Sequence, residues 1–189
     1  MEKKNKFLIL LMLVVLASPI FNSCKKGADD PFISLRSRTS RLKGAWDLTS
    51  GTETGTTDSS AYTKTFTESI VTITSGGQTT TNTHSEKMEF LKDNAFKGTK
   101  INNGVASIGE GFWAFMDGYD DVKNKECVVI RISSQTNGGT ITSYTGDNMP
   151  AHIVRFDKLS GSEIIIEANG TIIGASAGTS TSTKTYKKE

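Results

Sequence analysis

The feature that most constrains the fold is a series of short segments rich in β-branched residues, separated by clusters of Gly, Ser, Thr and Asn. About ten such segments recur at spacings of roughly 8–15 residues, and no helical period accompanies them after residue 23. This spacing predicts an all-β sandwich or barrel. The segments span residues 46–49, 62–74, 79–91, 95–101, 111–116, 127–133, 140–145, 152–159, 163–168, 171–175 and 183–187.

Alternation within these segments favours a closed antiparallel sheet. Val128, Ile130 and Ile132 occupy every second position, so they share one face of their strand. A barrel requires this pattern because one face of every strand fills the interior. Gly-Gly pairs at residues 76–77 and 138–139 predict tight hairpin turns between neighbouring strands. Threonine is frequent throughout, which agrees with the preference of β-branched side chains for a pleated surface.

The first 23 residues have the layout of a secretory signal peptide. Three lysines precede an uncharged apolar run at residues 7–21, which ends at the small Ser23 and at Cys24. A retained membrane anchor is the alternative, but a spanning helix needs about 20 apolar residues and this run is shorter. We therefore expect residues 1–23 to be removed on export.

The end of this segment, Phe21-Asn22-Ser23-Cys24, resembles a bacterial lipobox, although Phe21 and Asn22 depart from its commonest form. The resemblance implies that Cys24 carries a diacylglycerol and anchors the protein to a Gram-negative membrane, with residues 24–40 as a flexible linker. The expected location is the outer membrane, on either its periplasmic or its surface side. Ordinary secretion with an unmodified Cys24 is the alternative.

Charge and cysteine content limit the classes of function. The signal removes three lysines and one glutamate from 22 basic and 20 acidic residues, which leaves 19 of each. A neutral mature chain argues against a nucleic-acid partner, which requires a concentrated basic face. The remaining 166 residues suit a single domain. The second cysteine, Cys127, lies in an apolar strand segment, where a buried hydrophobic role is more common than a reactive one.

Several motifs resemble the bacterial lipocalin-like domain family. Gly44-Ala-Trp46 resembles the Gly-x-Trp signature of its first strand, and Gly111-Phe-Trp113 resembles a second Gly-x-Trp. Residues 90–96 resemble its hairpin motif, with Asn94 in place of glycine, and residues 152–166 resemble its closing unit. The similarity covers roughly residues 42–186 in the right order. It implies an up-and-down antiparallel β-barrel of about 8–10 strands over residues 41–189, closed at one end.

The resemblance also implies roles for particular residues. Trp46 would pack across the closed end, Gly44 would allow close approach of a neighbouring strand, and Trp113 would belong to the core or the wall. It further implies a small hydrophobic ligand inside the barrel. Such an implication is an analogy between folds and does not by itself identify a binding site.

The sequence contains no recognisable catalytic or cofactor motif. His84 and His152 do not share a motif, and a zinc site needs three or four ligands. The carboxylates at residues 117–121 could hold Ca²⁺ but lack the spacing of a calcium loop, so a solvated turn is the favoured interpretation. Four glutamates could provide an acid and a base if the fold paired them inside the barrel: Glu110, Glu126, Glu163 and Glu167. We expect no cofactor and no enzymatic activity.

Two functions remain open from the sequence. The first is a binding protein that holds a small apolar ligand in its barrel. The second is a surface or periplasmic interaction protein with a solid barrel, whose Thr/Ser/Gly-rich insertions at residues 51–60 and 135–148 contact a protein or a glycan. The oligomeric state is open in both.

Overall fold

A computed structural model describes residues 37–57, 60–116, 126–172 and 178–189. The predicted signal, Cys24 and most of the predicted linker lie outside these residues. The described part contains one short helix, α1 (Arg38–Leu42), and eleven strands. The strands are β1 (Gly44–Thr57), β2 (Ser60–Thr67), β3 (Ile70–Ser75), β4 (Gln78–Phe90), β5 (Ala95–Asn102), β6 (Val105–Met116), β7 (Glu126–Asn137), β8 (Thr140–Ser143), β9 (Ala151–Leu159), β10 (Glu163–Ile172) and β11 (Gly178–Lys188).

Ten of the strands close into an antiparallel barrel. Each strand from β1 to β6 pairs with the strand that follows it. From β7 the ring continues through β9, β10 and β11 back to β1. Strand β8 pairs with the last four residues of β7, Ser134 to Asn137, and is not itself part of the ring. The prediction of an all-β, up-and-down antiparallel barrel of about 8–10 strands is confirmed.

The barrel is narrower at one end because β1 has two successive partners. Residues Gly44 to Asp47 of β1 pair with β4, and residues Ser50 to Thr57 pair with β2. The β2–β3 hairpin therefore enters the ring only above this fork. Eight strands surround the narrow end and ten surround the barrel above it, which widens the interior since barrel diameter grows with strand number.

The narrow end is closed by α1 and by aromatic side chains. The Ser37 side chain caps α1, and Leu42 at its end is fully buried. Trp46 is also fully buried, and its indole Nε1 donates a hydrogen bond to the Leu42 carbonyl at 2.7 Å. Gly44 has φ +134°, and a Cβ there would lie 2.5 Å from Cε of Lys188. Gly44 and Trp46 thus both lie at the narrow end of the barrel.

Left-handed residues form the turns that join the strands. Gly76-Gly77 and Gly138-Gly139 all have positive φ, as the two-residue hairpins predicted at these pairs require. Asn94 has φ +60° in the loop between the paired Phe90 and Phe96. A further hairpin joins β5 and β6 through Asn103 and Gly104, which both have positive φ. This Asn-Gly pair was not among the predicted turns.

Some predicted boundaries are wrong. The segment at residues 62–74 is two strands, β2 and β3, joined by a tight turn at residues 68–69. The segments at residues 163–168 and 171–175 are not separate, because β10 continues through Asn169 and Gly170 to Ile172. The last three residues of the predicted linker, 38–40, belong to α1.

The predicted insertions are not long loops. Residues 51–57 are the upper half of β1, and residues 135–143 are mostly the β7–β8 hairpin. Threonine explains the difference, since a Thr-rich segment without apolar alternation still suits a solvent-exposed strand.

Candidate functional site

The interior changes from apolar to polar along the barrel axis. Inner-face positions of β4 show the change within one strand: Phe90 and Met88 are buried in the apolar core, whereas Glu86 and His84 follow toward the wide end. The core near the narrow end includes Trp46, Phe90, Phe96, Trp113, Val128, Phe156, Leu159 and Ile164. The candidate site lies above this core, where polar side chains point inward.

Glu86 is the centre of the first polar cluster. Lys184 Nζ donates to its Oε2 at 2.6 Å, and the Tyr186 hydroxyl donates to its Oε1 at 2.6 Å. Both donors come from alternate inner positions of β11, so one strand supplies a cation and a hydroxyl to one carboxylate. Lys184 Nζ also lies 4.7 Å from the centroid of the Phe66 ring. Each oxygen of Glu86 is therefore satisfied inside the protein.

This arrangement shifts two pKa values in opposite directions. Burial alone raises the pKa of Glu86, but the neighbouring His84 and the charge and hydrogen bond of Lys184 outweigh it and hold that pKa far below 4.5. Burial, followed by the charge of Glu86, raises the pKa of Tyr186 well above 10.0. The carboxylate stays ionised and the phenol stays neutral at physiological pH.

Glu53 repeats the same cluster on the next strands. Lys64 Nζ donates to its Oε1 at 2.6 Å, and the Tyr62 hydroxyl donates to the same oxygen at 2.9 Å. Tyr62 and Lys64 again occupy alternate inner positions of a single strand, β2. Burial raises the pKa of Glu53, but the hydrogen bonds from Lys64 and Tyr62 lower it overall. Two lysines and two glutamates thus neutralise one another inside the barrel.

A cavity of about 250 Å³ lies between these clusters and the wide end. Because a water molecule occupies about 30 Å³ of liquid, the space corresponds to roughly eight waters and suits a small molecule. One wall is apolar and comes from β2 and β3, with Phe66, Val71 and Ile73. The adjoining part of the lining is polar and comes from β4, β5 and the turn after β5, with Asn82, His84, Lys100, Asn102 and Asn103. Glu53 and Lys64 of the second cluster complete it.

His84 is the most buried polar residue of this wall. It is 3% exposed, its ring lies 5.2 Å from that of Phe66, and its Nδ1 lies 2.7 Å from Oδ1 of Asn102. Its Nε2 has no hydrogen-bond partner among the described residues, and the nearest carboxylate oxygen, Oε2 of Glu86, is 3.8 Å away. A buried ring nitrogen without a partner is unusual, because buried polar groups are normally hydrogen-bonded.

A second cavity, of about 340 Å³, lies at the fork where β2 and β3 enter the ring. Its walls combine outward residues of β1 and β4, such as Asp47 and Ser85, with the inward Glu86. Glu68, in the turn between β2 and β3, completes this polar lining. The inner carboxylate of Glu86 is therefore close to a side opening of the barrel as well as to the first cavity.

The carboxylates singled out from the sequence lie elsewhere. Glu126 is buried and pairs with Arg41 at 3.0 Å, whereas Glu163 pairs with Lys158 at 2.7 Å near the surface. The structure does not bring these two together as an acid and a base. Glu110 is exposed, and Glu167 is half-buried on β10. Residues 117–121, the alternative calcium segment, lie outside the described residues.

The other singled-out residues are structural. Trp113 is 3% exposed and stacks edge-on against Phe90 and Phe115. Cys127 is buried, and His152 is exposed on β9, far along the chain from His84. Within the described ranges no three His, Cys, Asp or Glu residues are grouped as a metal site would require, and no helix is long and apolar enough to cross a bilayer.

The residues of the two polar clusters were not predicted from the sequence, although the alternation of inward and outward positions along β2 and β4 indicates them. Met88 and Phe90 mark the inner face of β4, and counting back by twos from them reaches Glu86 and His84. The same count back from Phe66 reaches Lys64 and Tyr62 on β2. Charged residues on an apolar face indicate a polar interior, which strand-by-strand parity would have revealed.

Comparisons with models of known protein families, with curated proteins and with solved structures find no match. The relation to lipocalin-like domains therefore rests on the sequence motifs alone.

Proposed function

We propose that the chain is a lipid-anchored, lipocalin-like protein of the Gram-negative cell envelope that binds a small ligand in its barrel and performs no catalysis. The observation that carries the proposal is the cavity of about 250 Å³ in the wide half of the barrel, with the unpartnered Nε2 of the buried His84 beside it. Buried polar atoms normally have hydrogen-bond partners, and a ligand would supply this one.

The resemblance to lipocalin-like domains predicts an apolar ligand, and the wall formed by Phe66, Val71 and Ile73 supports contact with an apolar group. The rest of the cavity lining is polar. A molecule with an apolar body and at least one polar group would satisfy both parts of the lining. The paired charges of Glu53 and Glu86 leave neither carboxylate free to act as a base, which favours binding over catalysis.

Native mass spectrometry on the protein isolated from its own envelope tests this function. We expect a reproducible adduct of small-molecule mass that dissociates at higher collision energy. The variant Val71→Trp, which fills the cavity from its apolar wall, should lose the adduct while keeping the circular dichroism of the barrel. Identical spectra with no adduct for both proteins would argue for a solid barrel.

The lipid anchor is tested at Cys24. We expect the protein to fractionate with membranes and the Cys24→Ser variant, expressed as the full chain, to leave them, because the variant cannot receive the diacylglycerol. Mass analysis of the N-terminal peptide should show acyl chains on Cys24 only in the wild type. Proteolysis of intact cells would then distinguish the surface side of the outer membrane from the periplasmic side.

An interaction protein is the second candidate, and one exposed side chain favours it. Ile141 on β8 is 70% exposed, and β8 pairs with β7 alone among the described strands. An edge strand with an apolar side chain can recruit another chain. If this function holds, Ile141→Lys should abolish co-purification of a defined envelope partner, whereas filling the cavity with Val71→Trp should leave that partner bound.

A further inference from the structure

The amide groups in the polar part of the cavity lining use their oxygens within the protein and leave N–H donors unused. Asn103 Oδ1 accepts from the backbone N–H of Thr83 at 3.1 Å, which fixes the orientation of this amide. Its Nδ2 therefore donates to Oδ1 of Asn82 at 3.1 Å, and the NH₂ group of Asn82 is left over. The oxygen of Asn102 is likewise engaged, by Nδ1 of His84. The amide acceptors of this wall are thus used within the protein, and amide donors remain.

The charged side chains around the cavity also leave one positive charge without a partner. Lys64 and Lys184 are each bound to a glutamate. Both oxygens of Glu86 accept a hydrogen bond, and Oε1 of Glu53 accepts from Tyr62 as well as from Lys64. Lys100 also faces the cavity, at the position of β5 directly opposite Glu86, but it has no hydrogen bond or ion pair with any described residue. The cavity wall therefore carries one uncompensated positive charge and no uncompensated negative charge.

His84 adds a group that suits an acid in either protonation state. With Nδ1 donating to Asn102, a neutral ring presents the lone pair of Nε2, which can accept a hydrogen bond from the O–H of a carboxylic acid. A protonated ring instead donates from Nε2 to a carboxylate. The apolar residues Phe66, Val71 and Ile73 adjoin these groups in the lining of the cavity.

We propose that this cavity binds a small carboxylate with an apolar body, its head group on Lys100 and His84 and its body against Phe66 and the β3 side chains. The inference rests on the proposed ligand-binding function and names the chemical class of the ligand. Such a ligand supplies the counter-charge that Lys100 lacks and the partner that Nε2 of His84 lacks.

Isothermal titration calorimetry with three probes tests the proposal on the purified protein. Benzoate carries the head and the body, benzamide has the same shape without charge, and sulfate is an anion without a body. We expect benzoate to bind with a Kd of about 1 mM or tighter, and both other probes at least about tenfold more weakly. Chemical shifts of β2, β4 and β5 should map benzoate to the cavity.

Two variants make the test specific. Lys100→Met keeps the length of the side chain and removes its charge, and we expect it to weaken benzoate about tenfold without changing the affinity for benzamide. Lys97→Met is the matched control, since Lys97 lies on the same strand with opposite parity, facing away from the cavity. It should bind benzoate like the wild type. Because Lys100 is exposed and makes no hydrogen bond or ion pair with the described residues, both variants should keep the wild-type melting temperature.

Distinct outcomes would overturn the inference. Equal affinity for benzoate and benzamide, unchanged by Lys100→Met, would refute the carboxylate class while leaving the cavity as a ligand site. Sulfate binding as tightly as benzoate would refute the apolar body. Failure of all probes to perturb the cavity would refute the inference, and an adduct in native mass spectra would still support the wider proposed function.

Discussion

At the residue scale, the contacts of Glu86 show how charged side chains are accommodated inside the barrel. A buried carboxylate is costly unless charge and hydrogen bonds compensate it. Lys184 and Tyr186 do so from a single strand, and the same arrangement recurs with Lys64 and Tyr62 around Glu53. Each cluster joins neighbouring strands through side chains as well as through the backbone ladder.

The low pKa of Glu86 makes stability depend on acid pH. Because the folded state holds this pKa below 4.5, the unfolded state binds the proton first as the pH falls, so the contribution is present above pH 4.5 and is lost below it. Glu86→Gln should lower the free energy of unfolding at pH 7 by about 2–3 kcal/mol, since Lys184 would keep a buried charge without its partner. It should also flatten the decline in acid. Urea unfolding between pH 3 and 7 measures both effects, with exposed Glu110→Gln as the control expected to match the wild type.

At the element scale, the strands follow from local patterns more closely than their pairing does. Both Gly-Gly hairpins and the alternation of Val128, Ile130 and Ile132 could be read from the sequence because they are properties of neighbouring residues. The fork of β1 could not, because it depends on which strands β1 meets across the barrel. The shift from apolar to polar on the inner face was readable in principle, but only once parity had been assigned to every strand.

Threonine rows show why pairing escapes local patterns. Thr52 on β1 lies in register with Thr183 of β11 and with Thr65 of β2. The row continues through Thr72 and Thr81. Since each of these strands presents threonine at successive outer positions, a shift by two residues would preserve the row. The register is therefore set by the inner face and by the turns.

The glycine of the second Gly-x-Trp motif is required by strand packing, which gives a prediction for β6. A Cβ at Gly111 would lie 1.9 Å from the carbonyl oxygen of Arg131, whereas one at Gly109 would meet only the end of Ile132 at 3.5 Å. Gly111→Ala should therefore displace the β6–β7 backbone and cost about 2 kcal/mol or more, in the range of overpacked cores. Gly109→Ala should change stability by less than about 1 kcal/mol. Thermal unfolding of the two variants compares them, and equal melting temperatures would contradict the close approach at Gly111.

At the scale of the whole molecule, the two ends of the barrel differ in how they are filled and closed. The narrow end receives the chain from the predicted membrane anchor through α1, and α1 is locked to the barrel by Arg41. This side chain is buried, donates to the Leu159 carbonyl at 2.6 Å and pairs with Glu126 at 3.0 Å. The cavity lies toward the opposite end. A lipid at Cys24 would thus hold the protein by its solid end and leave the cavity directed away from the attachment point.

This division predicts that removing one partner of the buried Arg41–Glu126 pair costs more stability than breaking the partly exposed pair of Lys158 and Glu163. Glu126→Ala leaves the buried guanidinium without its carboxylate and should cost about 3–5 kcal/mol, a large part of the 5–15 kcal/mol typical of a domain. Glu163→Ala, which breaks the partly exposed pair with Lys158, should cost about 1 kcal/mol or less. The double variant Arg41→Met/Glu126→Leu should recover most of the loss because it removes the buried guanidinium together with the carboxylate while retaining apolar volume. Urea unfolding of the three variants measures these differences. If Glu126→Ala were no more harmful than Glu163→Ala, α1 would not be locked through this pair, and the anchor would connect to the barrel only through the chain itself.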